Sequence, residues 1–109
     1  LVIGSGSLTH NLHEFRSRPT GTAPYVREFQ DWMHKSIAAK DVAALLDYRK
    51  LAPHAVRAHP TDEHLLPLYV ALGAGGVCGE TQRLTDEVTY GILAMDAYVF
   101  RPGVHAAVA

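Results

Sequence analysis

A helical apolar period in the first half of the chain and a β-rich stretch near its end restrict the fold most strongly. From residue 25 to residue 37, apolar side chains recur every three or four positions, the period of one helix face. Residues 84–100 are rich in Val, Thr, Tyr and Ile and partly alternate, which predicts one or two strands. The apolar residues 1–3, followed by a Gly/Ser turn, predict another strand. The sequence therefore predicts an α/β fold.

Two more helices are expected between these segments. Asp41 is a suitable N-cap for a short helix that ends before Pro53. The residues of this helix expected to face inward are Val42, Leu45 and Leu46. Thr61 is the expected cap of a third helix with a buried run at 65–72, ended by glycines. Because Pro67 has no N–H to donate, the backbone around His64 is predicted to be irregular.

Composition excludes several classes of function. The chain has 109 residues and a formal net charge of −1, so it has no basic field to hold a phosphate backbone, and we expect no nucleic acid partner. Its apolar runs are shorter than the roughly 20 residues that span a bilayer, so we expect no membrane partner and a cytoplasmic protein. The single cysteine, Cys78, fits a reducing compartment.

Two histidine segments are the strongest functional signal. His10 follows the Gly/Ser turn after the predicted strand, where open α/β sheets place ligand-binding groups, and Asn11 beside it can orient an imidazole or a substrate oxygen. His64 follows two carboxylates at the start of an apolar helix. Neutral imidazoles facing one cavity are good ligands for iron or zinc, so the sequence predicts a metal site.

Other interpretations of these residues stay open. Most histidines in globular proteins are surface or hydrogen-bonded residues. The pair His10 and His13 has a spacing of three that could hold a metal only if the segment were helical. The Gly/Ser turn could instead bind a nucleotide, although it lacks the third glycine of that motif. We expect His34 to be solvated, His54 and His105 to have no partner, and His59 to lie at most behind the metal ligands.

The residues of the motifs and their order along the chain resemble those of one enzyme family. The chain reads His10-Asn11-Leu12, then Pro60-Thr61-Asp62-Glu63-His64, then Leu66-Pro67-Leu68 and Leu72-Gly73-Ala74. This series resembles the class III extradiol ring-cleaving dioxygenases, in their DOPA 4,5-dioxygenase-like branch. The resemblance covers residues 1–100, with Ile92 and Ala94 departing from the usual Gly-Ser-Leu-Ser-Met segment.

The resemblance implies the fold and the roles of the site residues. It implies a central mixed sheet flanked by helices, of which this chain is only the C-terminal half. His64 would be a metal ligand, His10 the catalytic acid/base and also a metal ligand in some metal-substituted forms, and Asn11 a substrate-binding residue. The metal would be Fe²⁺ for activity, with Zn²⁺ as an alternative occupant of the same site.

The implied activity is insertion of O₂ beside the diol of a catechol such as DOPA, which gives a semialdehyde. The chain starts at Leu1 inside a predicted strand, so we expect residues 1–109 to be the C-terminal part of one catalytic domain, with a flexible tail at 101–109. Its partners would be the catechol, O₂ and the missing N-terminal half, with a homodimer as an open alternative. The competing interpretation is a non-catalytic metal-binding or structural fragment or subunit of such an enzyme.

Overall fold

The computed structural model describes residues 1–17, 20–76 and 78–103, without the side chains of residues 16 and 17. A 3₁₀ helix, Leu12–Ser17, precedes the long helix α1, Pro24–Ala38. Three short helices follow, α2 (Val42–Leu46), α3 (Tyr48–Leu51) and α4 (Ala55–Ala58), and then α5, Leu66–Gly75. The strands are β1 (Glu80–Thr85), β2 (Val88–Thr89), β3 (Leu93–Ala94) and β4 (Ala97–Arg101).

The α/β class is confirmed, and the described strands form two small antiparallel sheets. β1 pairs with β4 through a register shift between Arg83 and Thr85, and β2 pairs with β3. Residues 1–3, predicted as a strand, are not in a strand here, because no described segment pairs with them. Their side chains are exposed.

The core lies along one face of α1, as the apolar period predicted. Val26, Phe29, Met33 and Ile37 are fully buried there. They pack with buried residues of the following helices and of the β2–β3 hairpin, among them Leu45, Ala58 and Ile92. This core fixes α4 and the hairpin on either side of residues 7–11, the segment that carries His10.

The predictions for the two later helices hold only in part. Asp41 does cap α2, because its carboxylate accepts the Ala44 N–H at 3.1 Å. Leu45 is buried, but Val42 and Leu46 are exposed, since a helix of one turn presents only a narrow face to the core. α5 begins at Leu66 rather than beside Thr61, and Pro67 sits in its first turn, where no N–H is needed. The predicted irregular backbone at His64 is confirmed as a turn.

No helix in the described part of the chain is long and apolar enough to cross a membrane. The predicted tail at 101–109 falls mostly outside the described residues, which end at Gly103, and His105 lies outside them as well. Within the predicted tail, Arg101 still belongs to β4.

Candidate metal centre

The two histidines singled out from the sequence lie face to face. The ring centroids of His10 and His64 are 3.6 Å apart, with an angle of 9° between the ring planes. Fifty-four positions separate them in the chain. The stacking brings the two imidazole rings together on one small surface, so both lie within reach of a single bound group.

Backbone hydrogen bonds hold the His10 segment against the His64 turn. Ser7 donates its N–H to the His64 carbonyl at 2.9 Å, and His10 donates its N–H to the Ala58 carbonyl at 2.8 Å. On the other side, Leu8 donates to the Ala94 carbonyl at 3.0 Å. The segment is thus fixed between the end of α4 and the β2–β3 hairpin.

Thr9 secures the same segment from within the core. Its hydroxyl donates to the Ile92 carbonyl and accepts the Ala94 N–H, both at 2.7 Å. Ile92 and Ala94 are the two residues that depart from the family's hydroxyl-bearing segment, and both are buried here. They therefore contribute apolar packing and backbone groups that hold Thr9.

The glycines of the Gly/Ser turn allow close approach of backbone to backbone. A Cβ on Gly4 would lie 2.1 Å from the Pro67 carbonyl oxygen, and one on Gly6 would lie 2.1 Å from the His64 carbonyl oxygen. Only glycine fits at either position. Carbonyl oxygens already face this turn, and they would repel a phosphate, which argues against the nucleotide-binding interpretation.

His64 itself lies in the turn that precedes α5. Leu65 and Leu66 both donate their N–H groups to the Asp62 carbonyl, at 3.0 and 3.1 Å, which closes the turn. Glu63 is exposed, and its carboxylate accepts the Thr61 hydroxyl at 2.8 Å. Backbone N–H donation, followed by the Thr61 hydroxyl, holds the pKa of Glu63 below its usual range. This carboxylate is therefore an anion close to the histidine pair.

The surroundings of His10 favour its neutral form. Partial burial lowers the pKa of His10, and the neighbouring His64 ring lowers it further. A neutral imidazole keeps a lone pair on one ring nitrogen, which is the form that binds a metal or accepts a proton.

Asn11 is engaged with the backbone rather than directed at a ligand. It is buried, its amide donates to the Arg57 carbonyl at 2.7 Å, and its side-chain oxygen accepts the His13 N–H at 3.1 Å. These contacts fix the residue next to His10. Its predicted contact with substrate stays a prediction.

The contact that His59 makes in this region could not be predicted from the sequence. His59 is fully buried, and its Nε2 lies 2.6 Å from the Leu8 carbonyl oxygen, two residues before His10. No sequence pattern signals this contact, because residues 8 and 59 meet only through the tertiary fold. Its ring also packs near Phe29, at 5.8 Å between centroids.

The remaining described histidines lie elsewhere. His13 is exposed in the 3₁₀ helix. His34, expected to be solvated, is half-buried, and its Nδ1 lies 2.9 Å from the Tyr98 hydroxyl. His54 was expected to have no partner, yet it pairs with Glu28. Long-range contacts of this kind leave no trace in local sequence.

A cavity of about 330 Å³ adjoins His64. It is bounded by the Gly/Ser turn, α5 and β4, with lining residues that include Gly4, Ser7, His64, Leu68, Met95 and Phe100. Its walls are mainly apolar. Space for an apolar group therefore exists beside one of the two histidines.

The donor set fits part of a metal site. Within residues 1–17, 20–76 and 78–103, no group of three or more His, Cys, Asp or Glu side chains is placed to hold a metal ion. As ligands, His10 and His64 would supply at most two nitrogen donors, and borderline metals such as iron and zinc take imidazole readily. A complete site would need further ligands from outside the described residues.

Comparison with protein families matches residues 1–100 to the catalytic LigB subunit of aromatic ring-opening dioxygenase. The chain belongs to this family, which confirms the resemblance found in its motifs.

Three curated relatives carry the name 4,5-DOPA dioxygenase extradiol. The protein of Mirabilis jalapa is 35% identical over 94% of this chain, that of Beta vulgaris 32% over 92%, and that of Portulaca grandiflora 33% over 92%. The matched regions amount to 39%, 37% and 37% of those proteins. The chain thus spans about two-fifths of the length of its relatives.

Proposed function

We propose that the protein containing this chain is a non-heme, metal-dependent extradiol dioxygenase that opens the ring of a catechol such as DOPA. The observation that carries the proposal is the stacked pair of His10 and His64 in a member of an aromatic ring-opening dioxygenase family. The names of the three relatives support DOPA as the substrate to try first. Insertion of O₂ beside the diol would give a semialdehyde.

In this proposal His64 is a metal ligand, and Fe²⁺ is the metal of the active enzyme. When bound there, Fe²⁺ would supply Lewis-acid and redox chemistry toward the catechol and O₂. Zn²⁺ would occupy the same nitrogen donors without supporting turnover, since it has no redox chemistry. The other ligands would come from outside the described residues.

His10 is proposed to move the protons of the reaction. As a neutral imidazole, it can accept the proton of a catechol hydroxyl at its free ring nitrogen and later return a proton to an oxygen of the opened ring. The hydrogen bonds that hold residues 7–10 keep the His10 ring next to the His64 ring. General acid–base catalysis of this kind contributes about 10² to 10⁴-fold.

Two observations favour a second candidate, a non-catalytic metal-binding fragment or subunit. The chain spans only two-fifths of its relatives, and its described residues bring together only two histidine donors. In that case the chain would still bind a divalent metal weakly, but it would need a partner to form a catalytic site.

Oxygen consumption separates the two candidates. The chain, joined to the rest of its protein and loaded anaerobically with Fe²⁺, is mixed with DOPA and other catechols in an oxygen electrode, and the ring-opened product is followed by its absorbance. We expect uptake in the parent protein, and its loss in both His10→Ala and His64→Ala. The exposed His13→Ala is the matched control and should retain activity. Absence of uptake with every catechol would favour the non-catalytic candidate.

A further inference from the structure

We propose that His59 is a positioning residue, whose Nε2–H holds the Leu8 carbonyl and thereby keeps the His10 ring against the His64 ring. Its meaning for catalysis rests on the proposed function. The contact itself joins Nε2 and the Leu8 oxygen at 2.6 Å, inside the protein.

The ring of His59 connects the two segments that carry the pair. Leu8 lies two residues before His10, and His59 lies five residues before His64. The Arg49 guanidinium donates to the His59 carbonyl at 2.9 Å, which anchors the backbone of this residue to α3. The side chain of His59, whose backbone Arg49 holds in place, therefore helps to set the distance between the two histidine segments.

The free-energy cost of burying the His59 imidazole indicates that its Nε2–H group has a structural role. Among the described residues, Nδ1 of His59 has no hydrogen-bond partner, and an unpaired buried nitrogen is unfavourable. A phenylalanine would fill the same space beside Phe29 without that cost. What a phenylalanine cannot supply is a donor to the Leu8 carbonyl.

The contact also defines the tautomer. A carbonyl oxygen only accepts, so Nε2 carries the hydrogen and Nδ1 carries the lone pair. Burial lowers the pKa of His59, in keeping with a ring that stays neutral. His59 is thus a fixed donor and is not exposed to substrate.

Three substitutions test the role. His59→Gln can place an amide N–H near the position of Nε2, His59→Asn is too short to do so, and His59→Phe fills the ring volume without a donor. Each variant of the full chain is examined by NMR for contacts between the ring protons of residues 10 and 64, and by calorimetric titration with Zn²⁺ as the probe metal. Long-range ¹H–¹⁵N spectra of the parent chain report the tautomer of His59.

We expect the parent chain to show the Nε2–H tautomer and contacts between the two rings. His59→Phe and His59→Asn should lose those contacts and bind Zn²⁺ about 10- to 100-fold more weakly, the usual effect of removing a group that orients a ligand. His59→Gln should retain most of both. If the phenylalanine variant fails to fold, the comparison of Asn with Gln still decides the question.

Retention of the ring contacts in both His59→Phe and His59→Asn would overturn the proposal and leave His59 a core residue only. An Nδ1–H tautomer would overturn it as well. Neither readout needs turnover. A protein that shows these effects and yet opens no catechol would therefore refute the proposed function and leave this inference intact.

Discussion

At the scale of single residues, a buried ionic network joins α1 to the strands. The Asp96 side chain is 0% exposed and accepts two hydrogen bonds from Arg83, at 3.0 and 2.6 Å. Its second oxygen accepts the amide of Gln30, itself fully buried, at 2.6 Å. Every charge of this network has a partner, as a low-dielectric interior requires.

Removal of one charge from the Arg83–Asp96 pair should therefore strongly destabilise the protein. Asp96→Asn leaves Arg83 without its counter-ion, and we expect the free energy of unfolding to fall by about 3 to 5 kcal/mol. The exposed Glu80→Gln on β1 is the control and should change it by less than about 0.5 kcal/mol. Urea denaturation followed by circular dichroism measures both. Equal effects of the two substitutions would contradict the burial of this pair.

His59 predicts a pH dependence of stability. Burial lowers its pKa in the folded chain, while the unfolded chain retains a value near 6.5. Above pH 6.5, His59 is neutral in both the folded and the unfolded chain, and its full contribution to stability is present. As the pH falls below about 6.5, the unfolded state takes up the proton first, so the free energy of unfolding should decrease.

Denaturant titrations between pH 7.5 and pH 5 would show this decrease, and His59→Phe should reduce its slope. The lowered pKa of His10 acts in the same direction, so part of the slope should persist in that variant. If His59→Phe leaves the slope of the free energy of unfolding against pH unchanged, His59 is protonated to the same extent in the folded and unfolded chains.

At the scale of elements, close packing of the Gly/Ser turn on the turn at 64–67 decides where His64 lies. In Gly6→Ala the new methyl group meets the His64 carbonyl, so the backbone must move. Overpacking of this kind costs about 1 to 3 kcal/mol. Because the contact is at His64 itself, we expect weaker Zn²⁺ binding as well as a lower denaturation midpoint.

Gly73→Ala in α5 is the matched control, because a methyl group there meets nothing within 4 Å. It should stabilise the helix by about 0.5 to 1 kcal/mol, since alanine loses less conformational entropy than glycine. If both substitutions had the same effect on Zn²⁺ binding, the turn would not control the position of His64.

The elements also show which parts of the fold local sequence can predict. α1 could be predicted because a helix of four turns repeats its apolar period several times over. The boundary of α5 could not, because Thr61 is a favourable cap in isolation and only the final packing places Pro67 in the first turn. The outward orientation of Val42 and Leu46 also depends on neighbours that are distant in sequence.

At the scale of the whole molecule, the meeting of His10 and His64 was predictable from motif order, whereas the contacts that hold them were not. The Leu8–His59 hydrogen bond and the Asp96 network join residues far apart in the chain, and no spacing rule links such positions. The chain also exposes Leu1 and Ile3. That these residues pack against a further part of the protein stays a prediction.

The most direct test of the account is the iron content of this chain joined to the rest of its protein, measured per protein molecule after anaerobic loading and desalting. We expect His64→Ala to lose most of the iron, and the exposed His13→Ala to retain it. His10→Ala should lose turnover while it retains at least part of the iron, since its main proposed role is proton transfer. Full iron content in His64→Ala would contradict the proposal that His64 is a metal ligand.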